Sequence, residues 1–279
     1  MKLMNPKNPL QNYAEQTSIS NSIANSSIVT VTVNCPTHGT HEVKAFTFRQ
    51  NDVNCPICER EKADRQRHQE YRQAKRQKAI DCGIAPRYYD FTLADYQVTT
   101  DLQKKLLSFT QAWLSSFTNG GNGSKNLALI GATGTGKTML ASIIANGVFE
   151  KGYKVKMLRS SDIAERVRAT WKPQSRISGA DLMKSWIECD LLVIDEFGEG
   201  DIAVNSEWAD QDRVRLSKII DGRYQNGKPT IITSNFDKDR FFGRLGDRAF
   251  DRFQENLALV VCNWGSYRQQ VSKFMEIMA

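Results

Sequence analysis

From residue 127 onward, short runs of aliphatic and β-branched residues recur between longer stretches of mixed polarity. They fall at 127–130, 155–158, 191–194, 230–233 and 257–261. Such runs are too short for buried helices and match strands covered on both faces. Residues 139–145 have helical character, and 101–117 has helical spacing through Leu102, Leu106, Leu107, Phe109, Trp113 and Leu114. Strands alternating with helices predict an α/β fold, a mainly parallel sheet with helices packed on both faces.

The first 82 residues follow a different pattern. Residues 1–27 are rich in Asn and Ser and poor in large apolar side chains, which predicts a disordered arm. Residues 28–33 set Ile and Val among Thr, a strand signal running straight to Cys35, and 42–48 predicts a second strand. Residues 59–80 hold eight Lys or Arg against four Asp or Glu, net +4, with hardly any apolar stripe. That composition predicts a solvated linker helix. The expected division is therefore an arm at 1–27, a small module at 28–58, a helical linker at 59–82 and a main domain at 83–279.

Chemistry enters at Gly131-Ala132-Thr133-Gly134-Thr135-Gly136-Lys137-Thr138, a complete G-x-x-x-x-G-K-[ST] loop placed between a strand and a helix. The glycines let successive backbone N–H groups face a phosphate chain, and the helix N-terminus adds a positive dipole. Lys137 is expected to reach the β- and γ-phosphates of ATP, and Thr138 to place its hydroxyl on Mg2+. About 60 residues on, the apolar run 191–194 ends in Asp195-Glu196. A buried strand would deliver Asp195 beside the loop to hold Mg2+ through water and place Glu196 to polarise the attacking water. The run 230–233 leads to Asn235, an amide able to hydrogen-bond that water or the γ-phosphate, although Asn after a strand also suits a turn.

A second cluster, Cys35-x2-His38-x16-Cys55-x2-Cys58, has the spacing of two ligand pairs able to converge on Zn2+. Its surroundings are too small to hold much core, so the metal would supply folding energy. His41 rivals His38 but lies too far from Cys35 for a tight knuckle. The resulting expectation is a small zinc-ribbon-like module that binds protein, DNA or nothing beyond its metal. Six cysteines without a leader-like N-terminus suit thiols or ligands better than disulfides. The 279 residues carry a net charge of +7, compatible with a polyanionic partner, and no apolar run approaches the roughly 18–20 residues that span a bilayer. A cytoplasmic protein with no membrane partner is expected.

The order of these parts resembles the AAA+ ATPases. The stretch Arg244-Leu245-Gly246-Asp247-Arg248-Ala249-Phe250-Asp251-Arg252, followed by Asn263-Trp264-Gly265-Ser266-Tyr267-Arg268, is similar to the bacterial replicative-helicase loaders of the DnaC type. The resemblance covers roughly residues 83–268. It implies an arginine finger at Arg252, a companion at Arg248 and a second nucleotide sensor at Arg268. It also implies a core without the usual C-terminal helical lid, and a head-to-tail homo-oligomer in which one subunit's finger meets its neighbour's nucleotide. Some loaders of this family carry an N-terminal zinc module that contacts the helicase, whereas others have a zinc-free helical N-terminus.

Between the loop and Asp195, Ser161 or Asp162 is a candidate cap for a helix carrying Arg166, Arg168 and Lys172, with Trp171 at its end. The resemblance implies that this region meets single-stranded DNA, where basic groups neutralise phosphates and an aromatic stacks on a base. A solvated helix with Trp171 in the core fits the same residues. The function expected is an ATPase that delivers a hexameric replicative helicase onto single-stranded DNA during replication initiation. Two alternatives stand beside it: an IstB-type transposase helper, and a nucleotide-gated zinc-module adaptor with little turnover.

Overall fold

The computed structural model describes residues 27–121, 124–198 and 207–267. The arm expected at 1–27 falls outside them except for Ser27, and so does Arg268. The chain divides into two compact units, Met1–Ala74 and Lys75–Ala279.

In the smaller unit, β1 (Ile28–Cys35) and β2 (Gly39–Phe46) form an antiparallel hairpin in which Cys35 pairs with Gly39. Gly39 has φ of 78°, which lets the chain reverse immediately after Cys35. Val29, Val31 and Val33 sit on the half-buried face and Thr30 and Thr32 on the exposed one, as the period of two requires. The second strand therefore starts earlier than 42, because register runs from the turn, and residues Thr47–Asp52 form a 3-10 turn.

Helix α1 (Pro56–Cys82) is longer than the 59–80 stretch its composition marks. Pro56 suits a first helical turn, whose N–H groups have no intrahelical partner. At the other end Gly83, with φ of 86°, stops the helix; its N–H donates to the Ile80 carbonyl and the Ile84 N–H to that of Ala79. A Cβ on Gly83 would lie 1.9 Å from the Met157 carbonyl oxygen, so only glycine lets the chain pass the outer edge of β4 (Val155–Arg159) this closely. The last turns of α1 are thus part of the larger unit rather than a solvated linker: Ala79 is buried, Lys75 pairs with Glu150 and Arg76 with Asp90.

The larger unit is built on five strands, β3 (Asn126–Gly131), β4, β5 (Leu191–Asp195), β6 (Thr230–Ser234) and β7 (Leu257–Cys262). Their order is β4-β5-β6-β3-β7, and every pairing is parallel. Alternate residues serve two cores. Leu127, Leu129, Leu191 and Val193 pack on one face with Leu106 and Trp113 of α2 (Asp101–Ser116) and with Leu140, Ile144 and Val148 of α3 (Lys137–Glu150). Ala128, Ile130, Leu192 and Ile194 face the other core. There they meet α4 (Ser160–Ala169), α5 (Gly179–Glu188), α6 (Glu207–Gln225), α7 (Lys238–Leu245) and α8 (Asp247–Gln254).

Within that second core Arg223 of α6 is 1 % exposed. Its Nη1 donates to the carbonyls of Trp186, Ile187 and Cys189, Nη2 to that of Pro229 at 2.5 Å, and Nε to the Thr230 hydroxyl at 3.0 Å. The guanidinium thus takes up carbonyls that the end of α5 leaves without intrahelical donors.

Candidate functional site

The loop after β3 turns on Gly131, Gly134 and Gly136, with φ of 116°, 77° and 89°. Lys137 opens α3, and its Nζ donates to the carbonyls of Gly131 and Ala132 at 2.7 and 2.6 Å. Thr135 bonds the Ala132 carbonyl, which braces the loop from within. At the adjoining strand end, Asp195 Oδ1 accepts from the Thr138 hydroxyl at 2.9 Å and from the Thr233 hydroxyl at 2.5 Å. Thr233 Oγ1 in turn accepts the Glu196 N–H at 3.1 Å. Glu196 has φ of 55°, a left-handed conformation unusual for a side chain of this kind. Its carboxylate lies 3.3 Å from Arg159 Nε at the end of β4.

A cleft of about 250 Å3 opens over this arrangement. Thr133 to Met139, Glu196, Thr233, Ser234 and Asn235 line it, which brings together most of the residues expected for phosphate, Mg2+ and water. Gly131 and Ala132 do not line it, and Asp195 sits beside it, lining an adjoining recess with Thr138 and Glu196. Tyr88, Tyr96, Gln97 and Tyr267 complete the cleft, and none of these four was expected to do so. The stretch ending in Asn263 to Tyr267 straps the loop: Trp264 Nε1 donates to the Thr135 carbonyl, and the Tyr267 N–H to that of Gly134, both at 2.9 Å. The Tyr267 hydroxyl reaches Gln97 Oε1 at 2.9 Å. A Cβ on Gly134 would stand 2.0 Å from Ser266 Oγ, so this glycine also makes room for the strap. Nothing in local periodicity signals such contacts; the aromatic residues of the C-terminal motif were their only trace.

Arg248 and Arg252 do not line their own chain's cleft. They lie on α8, where Arg248 pairs with Asp221 at 2.8 Å, and Arg252 with Asp221 at 3.5 Å and Asp251 at 3.3 Å. Arg166 and Arg168 lie on α4, while Trp171 and Lys172 follow it. Trp171 is 63 % exposed, so it is not a core residue. The expected side-chain cap is not formed: α4 starts at Ser160 directly from the strand end Arg159, and the Ser161 hydroxyl bonds Asp162 instead.

Cys35, His38, Cys55 and Cys58 place their ligand atoms within 4.8 Å of one another. Cys35 and Cys58 sulfurs are 3.6 Å apart, and His38 Nδ1 lies 3.3 to 3.8 Å from all three thiols. Bonds of about 2.3 Å to sulfur and about 2.0 Å to nitrogen make tetrahedral edges of about 3.5–3.8 Å, so the four groups fit Zn2+. Glu61 lies 3.4 Å from His38 Nε2 and orients the ring, as outer carboxylates do at such sites. Backbone N–H groups of His38 and Thr37 lower the Cys35 thiol to about 6, while its hydrogen bond to Cys35 pushes Cys58 up to about 11. His41 lies within β2 opposite Val33 and takes no part in the cluster.

A parallel sheet carrying a phosphate loop after one strand, an acid pair after a second and an amide after a third defines a P-loop protein of the AAA+ class. The chain belongs to the family described as IstB-like ATP binding protein, which matches residues 45–274. It is 30% identical to the replicative helicase loader DnaC of Escherichia coli K12 over 233 residues, 83% of this chain and 87% of that protein. It is 27% identical to the uncharacterized protein YdaV of the same strain over 217 residues, 77% of this chain and 83% of YdaV. The crystal structure of the DnaC helicase loader superposes with a TM-score of 0.54 at 26% identity, covering 63% of this chain and 99% of that one.

Proposed function

We propose that this protein is an ATP-dependent loader that delivers a hexameric replicative helicase onto single-stranded DNA. The observation that carries the reading is the match to the DnaC loader, which covers 83% of this chain and 87% of that protein. The cleft supports it. Lys137 would hold the β- and γ-phosphates, while Thr138 and Asp195 would hold Mg2+, which offsets phosphate charge when bound. Glu196 would polarise the attacking water and Asn235 orient it against the γ-phosphate. In a head-to-tail oligomer Arg252, with Arg248 beside it, would meet the neighbouring subunit's nucleotide, and Arg268 would sense its own. Exposed Trp171 suits stacking on a base, with Arg166, Arg168 and Lys172 neutralising phosphates.

The small unit would hold one Zn2+ at Cys35, His38, Cys55 and Cys58 and grip the helicase. Removing zinc with a chelator should abolish amide-exchange protection over residues 28–58 and leave nucleotide binding by the larger unit unchanged. Zinc below one equivalent in freshly purified protein, or protection that survives chelation, would count against the site.

The family is described only as IstB-like and ATP-binding, so a second reading stands beside the first: an IstB-type transposase helper acting on duplex DNA. Pull-down against purified helicase and purified transposase separates the two. A chain lacking residues 1–74, which keeps Ala79 and the end of α1, should bind ATP yet lose the helicase. Full helicase affinity in that truncation would move the partner site to the ATPase unit. Capture of transposase alone would end the loader reading.

A further inference from the structure

On α8, Ala249 and Phe253 are buried, and helical spacing sets Arg248 and Arg252 together on the neighbouring face, one turn apart. Two guanidiniums at this spacing repel each other and hold their long side chains in many rotamers unless something gathers them. One carboxylate does so. Asp221 projects from α6, its side chain 17% exposed, with Oδ2 at 2.8 Å from Arg248 Nη2 and Oδ1 at 3.5 Å from Arg252 Nε. One turn further along α6, the Tyr224 ring lies under the Arg252 guanidinium, centroid 5.1 Å away. Asp251 also pairs with Arg252, but that carboxylate is 66% exposed and solvent screens it.

We infer that Asp221 is a positioning residue for the reaction at the neighbouring subunit's nucleotide, fixing Arg252 for transition-state contact before subunits meet. This rests on the reading of Arg252 as a finger acting in trans. A guanidinium ordered within its own subunit loses less freedom when it docks, and electrostatic stabilisation works best when the charge is already aimed. Asp221 does not line its own chain's cleft; it acts through Arg252, and Tyr224 supports the same arginine from beneath.

The test uses the full chain as Asp221→Asn, Arg252→Ala and the double variant, each assayed for binding of a fluorescent ATP analogue and for ATP turnover. Each is also mixed with Lys137→Ala under conditions where co-assembly is measured. Asp221→Asn should bind nucleotide like the parent and turn over about 10- to 100-fold more slowly. The double variant should be no slower than Arg252→Ala, because both changes remove one function. Mixing with Lys137→Ala should restore turnover to Asp221→Asn, since intact arginines then face intact loops; a merely structural defect would stay with its own subunit. Parental turnover by Asp221→Asn while Arg252→Ala is slow overturns the inference alone, as does a defect that co-assembly fails to restore. Parental turnover by Arg252→Ala overturns the finger reading and this inference with it.

Discussion

Glu196→Gln should bind ATP with parental affinity and hydrolyse it about 100- to 10,000-fold more slowly, the span associated with losing a general base. The amide keeps the size and much of the hydrogen bonding of the carboxylate but cannot accept the water's proton. Structure sharpens the expectation. Glu196 is held by its backbone rather than by its carboxylate: its N–H is fixed by Thr233, which also holds Asp195. The substitution therefore leaves the Asp195 cradle in place. It removes the charge that faces Arg159, an exposed contact expected to contribute little to stability. Single-turnover hydrolysis and equilibrium nucleotide titration separate the two effects. Equal turnover by the variant and the parent removes Glu196 from the reaction, and a large loss of affinity would mean that it binds rather than activates.

Arg223→Ala should lower stability by about 4 kcal/mol, since hydrogen bonds to charged groups contribute about 1.5–3 kcal/mol each and water entering the new space recovers part of the loss. At about 2–4 °C per kcal/mol for a domain of this size, the melting temperature should fall by roughly 8–16 °C. Its oxygen partners are five backbone carbonyls and one hydroxyl at the junction of α5, β5 and β6, so the damage should spread to the strand ends that carry the site. Thermal unfolding followed by far-UV dichroism reads the shift. A change below about 1 kcal/mol would mean that water replaces the guanidinium fully, a small cost ordinarily found at surface positions.

These two residues also mark what a sequence discloses. Glu196 and its companions were legible because their signal is local: an apolar run, then acids, at a strand end near a glycine loop. The sheet was legible for the same reason, since strands covered on both faces are apolar without alternation. Arg223 was not, because a lone basic residue in a polar helix looks the same whether it meets solvent or a ring of carbonyls. Trp171 stood between core and surface for want of any local cue, and its 63 % exposure settles the matter. The polar composition of 59–80 hid the burial of Ala79, which depends on Gly83 ending the helix against β4. The clustering of Cys35, His38, Cys55 and Cys58 was readable from spacing alone, because a tetrahedral ion suits few separations.

The strap over the phosphate loop has a bearing on how the protein is made. Trp264 and Thr135 are 129 residues apart in the chain, and Tyr267 and Gln97 170. At synthesis rates of about 5–20 residues per second, the loop leaves the ribosome roughly 6–25 s before the residues that close it. During that interval β3 lacks both of its neighbours in the sheet, β6 and β7, because each is encoded after it. Competence for nucleotide thus arrives late in synthesis, with the final strand, and an incomplete chain released early would carry the glycine loop without the walls that shape it.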